Sequence, residues 1–378
     1  MSSNPHADAA PDAAASAAVP SPVNWPLAAR LAERLVRPGP ESDRGEAIAL
    51  VEGLRAAAAA AAGHVSRITG LVPADGSDPA VAGVSRVLVL DRPGWARANT
   101  EILAALTADV AIRPGGKVPS RATRAAGAAE AAGVLALLSG KVLGQFDPFS
   151  RRPEAGAGAT VPGRLLLIAP NVLQVERDLN VVPADFRLWV ALHEQTHALQ
   201  FAAAPWLAEH LRERIGALLG DLTREQGGDA ERVRAFVGLV ARLVRGDDDG
   251  SGLDALLQPD ERRVLAEVSA VMALLEGHAD VAMDAVGRAV VPTVRQIRAR
   301  FESRRSAPGR RGPADRVLRR LLGLDQKLAQ YREGAAFVRA VTGAVGQDGL
   351  NAAWLEPANL PQSREIVDPR AWVRRVHG

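Results

Sequence analysis

Apolar residues recur every three to four positions along most of the chain, a spacing that predicts amphipathic α-helices. The predicted helices cover residues 24–36, 42–63, 95–110, 120–143, 184–203, 207–219, 229–244, 260–287, 293–304, 314–345 and 369–376. Two short aliphatic segments without this spacing, 84–91 and 163–169, predict strands, and 144–149 and 153–162 predict a loop and a linker. The fold class is therefore mainly α (α+β), a helical bundle with a minor sheet of two or three strands.

The domain organisation follows from changes in composition along the chain. Residues 1–22 are rich in Ala, Pro and Ser, which predicts a disordered tail. Residues 23–378 are expected to form a single domain, with a helical N-terminal part at 23–160 and a second part at 161–378 that carries the candidate chemistry. Neither a secretory signal nor an uncharged stretch of membrane-spanning length is recognisable, so we expect a cytoplasmic protein that does not bind membranes.

Composition excludes several kinds of site. The chain has no cysteine, which excludes disulfides, thiolate zinc sites, iron–sulfur clusters and cysteine nucleophiles. Any metal must therefore be held by His, Asp or Glu. The net charge is +3, and nearly all the basic residues are arginine. Aromatic residues make up only 4% of the chain. The densest basic run, 304–320, is most simply a solvated loop, so no nucleic-acid partner is expected.

The segment with the clearest chemistry is His193-Glu194-Gln-Thr-His197, inside a predicted helix. Residues four apart lie on one face of a helix, so His193 and His197 can offer two imidazole nitrogens to one metal ion. Glu194 is placed to take a proton from a metal-bound water. The alternative is an amphipathic helix whose polar face carries two histidines by chance. The surrounding residues are apolar, however, and a metal explains why polar groups are tolerated there.

A third ligand is expected in the predicted helix at 260–287. Glu276 is the best donor, and Asp280 could accept the outer N–H of a ligand histidine. Gly277 would let this helix approach the His193 helix closely. His278 lies about 200° round the helix from the expected ligand, which is more typical of a hydrogen-bonded core histidine than of a transition-state donor. The alternative for Glu276 and Asp280 is that both are ordinary solvent-facing charges.

Three weaker signals remain. Tyr331 is the only tyrosine and could donate to a developing oxyanion, although a lone tyrosine is more often a core residue. His210 is more often a surface residue than part of a site. The segment 246–252 has some features of a calcium loop, but neutral Gln258 stands where a bidentate Glu is needed. We interpret that segment as a turn.

With these residues in view, the chain resembles the zincin superfamily of metallopeptidases. More closely, it resembles an actinobacterial family of zincin-like hydrolases, some of which carry the label coenzyme F420 biosynthesis-associated. The resembling stretches are 91–99, 142–149, 165–171, 185–190, 200–201, 205–206, 330–331 and 359–361, within a match that covers roughly 23–375. The resemblance implies a zincin-like fold and a metal. Glu276-x-x-x-Asp280 looks like the glutamate-ligand branch, although its distance from His197 along the chain is longer than is common there.

Two functions are consistent with these residues. The first is a zinc-dependent hydrolase, and within that class a peptidase acting on a peptide or protein substrate is favoured. His193, His197 and Glu276 would hold Zn²⁺, and Glu194 would be the general base. The second is a non-catalytic, zinc-stabilised accessory or interaction protein, associated with coenzyme F420 metabolism, in which His278 or Asp280 completes a four-ligand structural site. Glu194 favours catalysis, because a structural site does not need it.

Overall fold

The structure is a computed structural model that describes residues 21, 23–107, 119–150, 163–222, 258–306 and 324–378. The predicted helix at 229–244, the turn at 246–252, the linker at 153–162, most of the basic run and all but residue 21 of the predicted tail lie outside these residues. The α-helices are α1 (Trp25–Leu35), α2 (Arg44–Thr69), α3 (Pro79–Ala82), α4 (Arg92–Thr107), α5 (Arg121–Leu138), α6 (Ala169–Leu179), α7 (Pro183–Ala203), α8 (Leu207–Leu222), α9 (Pro259–Ala285), α10 (Val294–Ser306), α11 (Leu324–Asn351), α12 (Ser363–Val367) and α13 (Pro369–His377). Two 3₁₀ turns, Ala352–Trp354 and Pro357–Asn359, lie between α11 and α12.

A small sheet accompanies these helices, as predicted. Its strands are β1 (Arg86–Leu90), β2 (Gly144–Asp147) and β3 (Arg164–Ile168). Within the described residues the order is β1-β3-β2, with β1 parallel to β3 and β2 antiparallel to it. The prediction of a loop at 144–149 was therefore wrong for its first four residues. A four-residue strand is too short to show an alternating pattern, and its conformation depends on pairing with β3.

The sheet separates two apolar cores. Leu165 and Leu167 of β3 belong to the main core, which also contains α2 and α7. Leu166 and Ile168 point to the opposite face, into a smaller core with α1, α4 and α5. This division follows from the two-residue period of a strand. β3 is apolar on both faces, so it is buried on both.

Helix α2 packs along α7 through a face of small residues, which includes Ala58 and Ala61. By length and composition α2 could cross a membrane, and no other described helix could. Its buried small-residue face is typical of a core helix. The predicted end at Gly63 was wrong, because the helix continues to Thr69 and ends at Gly70, which has a positive φ of 64°. Gly63 instead makes room for α3, since a Cβ there would lie 2.9 Å from the Cβ of Ala80.

Helices α3, α6 and α12 were not predicted. For α6, Pro170-Asn171 was interpreted as the end of the preceding strand, but proline is tolerated in the first turn of a helix and α6 begins directly after β3. The predicted C-terminal helix at 369–376 is confirmed as α13. β1 and β2 come from 23–160 and β3 comes from 161–378, so the two predicted parts of the domain share one sheet. The single-domain organisation itself stays a prediction.

Candidate metal centre

Helix α7 places two imidazoles side by side. The helix begins at Pro183, and residues four apart along it share a face, as the sequence analysis expected. Nε2 of His193 lies 3.2 Å from Nε2 of His197. The two rings are nearly perpendicular, at 88°, with centroids 4.7 Å apart. Both Nε2 atoms therefore face the same point in space.

Helix α9 brings a carboxylate to that point. Oε2 of Glu276 lies 3.3 Å from Nε2 of His193 and 3.7 Å from Nε2 of His197. The three ligand atoms all lie within 4.8 Å of one another. The side chains of His193, His197 and Glu276 are 25%, 12% and 20% exposed, so solvent reaches the cluster from one side. Two imidazoles and a carboxylate with an accessible side fit the three-ligand set of a catalytic zinc, and the cluster could hold a metal ion.

The cluster is also coupled electrostatically. Burial is the largest single influence and would lower the pKa of His197, but the combined effect of the Glu276 carboxylate, the Glu194 carboxylate and the hydrogen bond to Gln200 raises it to about 9. Burial pushes the pKa of Glu276 upward, but the two histidines have the larger combined effect and hold it well below its usual range. Without a metal at neutral pH, the ionised Glu276 carboxylate is therefore paired with a protonated His197, and a metal ion must displace that proton to bind.

Glu194 is buried beside the cluster, against the first residue of β2. Its pKa is raised, chiefly by burial, while the nearby His193 and His197 act in the opposite direction. A Cβ on Gly144 would lie only 2.6 Å from Cδ and from Oε1 of Glu194. Position 144 must therefore lack a side chain for Glu194 to occupy this place. The sequence analysis missed the role of Gly144, since only its location in a resembling stretch distinguished it.

Strand β2 is held in place from the face opposite α7. Oε1 of Gln145 accepts hydrogen bonds from Nε1 of Trp95 at 2.7 Å and from Nδ2 of Asn99 at 3.1 Å, and Gln145 Nε2 donates to Asn99 Oδ1 at 3.0 Å. The buried Asp147 at the other end of the strand bonds Arg164. Trp95 and Asn99 belong to the resembling stretch 91–99, which thus supports the strand next to Glu194.

Behind His197 lies a buried amide. Nδ1 of His197 is 3.0 Å from Oε1 of Gln200, whose Nε2 lies 3.0 Å from the backbone oxygen of Leu275 and 3.1 Å from Nδ1 of His278. His278 packs against Trp354, with ring centroids 5.5 Å apart. Burial, assisted by the charge of His197, lowers the pKa of His278 to about 4. His278 thus contacts Gln200 rather than the converging ligand atoms, and its catalytic role stays a prediction.

Comparison with known proteins agrees with this geometry. The profile of the family described as zincin-like metallopeptidase matches residues 23–373. The chain belongs to this family. A solved structure from Chloroflexus aurantiacus, described as a "putative hydrolase with a novel fold", is 28% identical, with a TM-score of 0.61 over 93% of this chain and 98% of that one. A search of curated proteins finds no match. The narrower resemblance, to actinobacterial relatives labelled for coenzyme F420, stays a prediction.

Asp280 does not make the contact that was predicted for it. Its Oδ1 accepts a hydrogen bond from Nη1 of Arg298 at 2.8 Å, and Arg298 Nε bonds Asp284 at 2.9 Å. The guanidinium also lies 5.7 Å from the ring centroid of Trp189 on α7. An arginine on α10 thus engages the carboxylate, while the outer nitrogen of His197 bonds Gln200. The sequence could not show this, because Arg298 lies on a different helix from Asp280 and only the packing of α10 on the neighbouring helices brings the two side chains together.

Gly277 does allow a close helix approach, but with α11 and not with α7 as predicted. A Cβ on Gly277 would lie 2.5 Å from the backbone nitrogen of Ala335, and a Cβ on Gly334 would lie 2.8 Å from the backbone carbon of Ala273. The crossing is next to Glu276. Tyr331 lies on α11, three residues before Gly334, and its side chain is outside the described part of the structure. Its predicted role as a donor stays a prediction.

Proposed function

We propose that the protein is a zinc-dependent hydrolase that cleaves amide bonds in peptides. The observation that carries the proposal is the convergence of His193, His197 and Glu276, with the buried carboxylate of Glu194 beside them. Membership of a zincin-like metallopeptidase family and similarity to a structure described as a hydrolase also support a hydrolase. The choice of peptide as substrate rests on the strand next to the site.

The roles of the residues follow from their positions. A bound zinc ion would acidify water and polarise a substrate carbonyl. His193, His197 and Glu276 would hold the ion and leave one position open on their exposed side. Glu194 would take the proton of the attacking water and deliver it to the leaving amine, as the buried carboxylate adjacent to the cluster.

Strand β2 supports a peptide as the substrate. Among the described residues β2 pairs only with β3, so no strand occupies its second edge there. An extended peptide can pair with such an edge. Gly144 at the start of β2 contacts Glu194, so a peptide paired with this edge would pass close to the proposed base. Gln145 and Asp147 are held by other side chains, which keeps the strand in place.

The alternative, a structural zinc in a non-catalytic accessory protein, needs a fourth protein ligand. The two residues considered for that place have other partners. His278 contacts Gln200 and Asp280 contacts Arg298. These contacts favour the hydrolase over the accessory protein.

The proposal can be tested by assaying zinc-loaded wild-type protein and a Glu194→Gln variant on a mixed library of fluorogenic peptides. We expect cleavage by the wild type and a loss of at least about 100-fold in the variant, since general bases contribute on the order of 10²–10⁴-fold. The wild type and the Glu194→Gln variant should contain equal amounts of zinc. Glu209→Gln, at an exposed position on α8, is the control and should be fully active. Absence of cleavage by zinc-loaded wild type would contradict the peptidase proposal and favour the accessory protein.

A further inference from the structure

We propose that Gln200 is a positioning residue of the metal centre. Its amide sets which nitrogen of His197 faces Glu276, and the same amide joins the two helices that carry His197 and Glu276. The inference rests on the proposed metal site. It concerns contacts that neither the His-Glu-x-x-His motif nor the family comparison assigns.

The orientation of the amide follows from its neighbours. The backbone oxygen of Leu275 can only accept a hydrogen bond, so the Gln200 atom 3.0 Å from it must be the NH₂ nitrogen. The second N–H of that nitrogen is directed to Nδ1 of His278 at 3.1 Å. With both donors engaged, the remaining atom, Oε1, is the one 3.0 Å from Nδ1 of His197. The reverse orientation would place two oxygen acceptors against each other at Leu275.

This orientation of the amide determines which ring nitrogen of His197 carries a proton. An amide oxygen cannot donate, so Nδ1 of His197 carries the proton of the hydrogen bond. Nε2 is then the nitrogen available as a ligand, and it is the one that faces Glu276 Oε2. A partner that fixes the tautomer and ring orientation in this way is the usual support of a metal-ligating histidine. Gln200 thus has the role that the sequence analysis expected of Asp280.

The same amide ties the two ligand helices together. Gln200 lies on α7, one turn after His197, and Leu275 on α9 is the residue before Glu276. The Gln200 side chain is fully buried, so water cannot readily replace its contacts. A displacement of α9 along α7 would break the bond to Leu275 and move Glu276 away from the two imidazoles at the same time.

His278 completes the arrangement as the acceptor behind the amide. Because the amide nitrogen donates to its Nδ1, the ring proton of His278 must be on Nε2. A proton on Nδ1 would point directly at the amide N–H. The residue that the sequence analysis considered as a transition-state donor therefore acts through Gln200, at a distance from the ligand atoms.

The test compares Gln200→Met with Gln195→Met in metal titrations of the full-length protein, using Zn²⁺ with a competing chelator and Co²⁺ with its visible absorption. Methionine keeps the shape of glutamine and removes its hydrogen bonds. Gln195 is the control because it lies on the same helix, is also buried, and donates to the backbone oxygen of Ala58, away from the ligands. Thermal unfolding of the metal-free proteins measures any general loss of stability.

We expect Gln200→Met to bind both metals about 10–100-fold more weakly and to change the Co²⁺ spectrum, as for other lost partners of ligand histidines. Gln195→Met removes fewer hydrogen bonds, so it should lower the unfolding temperature by no more than Gln200→Met does, and it should leave the metal affinity and the spectrum unchanged. If Gln200→Met binds both metals as tightly as the wild type does, the inference about Gln200 is overturned and the proposed function is not. Absence of metal binding by the wild type would overturn the proposed function and the inference with it.

A measurement on the wild type covers the case in which Gln200→Met does not fold. In zinc-loaded wild type, ¹⁵N NMR of the histidine rings should show a proton on Nδ1 of His197 and on Nε2 of His278. A proton on Nδ1 of His278 would contradict the proposed orientation of the amide.

Discussion

Helices α7 and α9 both bring side chains to the candidate metal centre, but they are positioned in different ways. On α7 the two histidines are one turn apart, and the residue that supports His197 is one further turn along the same helix. On α9 Glu276 depends on contacts with other helices. Gly334 of α11, Arg298 of α10 and Gln200 of α7 each fix a part of α9 near it.

Only one part of the metal centre has a geometry that is set locally. The geometry of the α7 pair follows from 3.6 residues per turn, whatever the helix packs against. The place of Glu276 depends on the close crossing at Gly277 and on an ion pair, so it is a property of the folded chain. We therefore expect changes beside α7 to affect chemistry, and changes around α9 to affect stability and metal affinity together.

The largest expected effect is on the α7 side. Gly144→Ala places a Cβ against the Glu194 carboxylate and should lower the hydrolytic rate about 100-fold, the scale of a misplacement by about 1 Å. Zinc affinity should be unchanged, because the three ligands are not touched. Gly133→Ala, on α5 with nothing near the added methyl, should have normal activity. Full activity of Gly144→Ala would show that Glu194 is not the base in this position.

The second effect tests the helix crossing that positions α9. Gly334→Ala introduces a Cβ against the backbone of Ala273 and should lower the free energy of unfolding by about 1–3 kcal/mol, as overpacking does. Zinc binding should weaken in parallel. Gly343→Ala on the same helix has open space and should raise stability by about 0.5–1 kcal/mol. Urea unfolding measures both, and equal effects at the two glycines would contradict a tight crossing.

The third effect tests the ion pairs around α9. Arg298→Met leaves the carboxylates of Asp280 and Asp284 without their shared partner and should cost about 1–2 kcal/mol of unfolding free energy. Arg263→Met, which removes an exposed pair with Asp260 on the same helix, should change it by less than about 0.5 kcal/mol. Chemical denaturation measures the free energy of unfolding of both variants. A similar loss in Arg298→Met and Arg263→Met would mean that Arg298 does not hold α9 in place.

The smallest effect concerns α12, which packs on α9. Burial acts to raise the pKa of Glu365, but the hydrogen bonds from Arg375 and the Gln362 backbone, together with the charges of Arg375 and Arg364, outweigh it and hold the pKa below its usual range. Stability from this pair is therefore complete above the ordinary glutamate pKa and is lost as pH falls through the folded value. The free energy of unfolding of the wild type should exceed that of Glu365→Gln by about 1 kcal/mol at pH 7, and this difference should shrink toward pH 3. Glu356→Gln, at an exposed position, is the control, and its free energy of unfolding should match that of the wild type at pH 7.

How much the sequence predicts follows the same division between local and tertiary structure. Most of the helices, the β1 and β3 strands and the three converging side chains were predictable, because each rests on periodicity or on one motif with an acidic helix face. Strand β2 was not, since only pairing with β3 makes four residues a strand. The partner of Asp280, the contact of Gly277 and the role of Gly144 were also missed, because each depends on a residue far away in the chain.

The most direct test of the account is the zinc content of full-length wild-type protein and of Glu276→Ala. Glu267→Ala, half-exposed on the same helix, is the control. We predict about one zinc per chain in the wild type and the control, as for a three-ligand catalytic site, and zinc that is lost or greatly weakened in Glu276→Ala. No zinc in the wild type, even after zinc is added, would contradict a metal centre. Zinc fully retained in Glu276→Ala would contradict Glu276 as the third ligand.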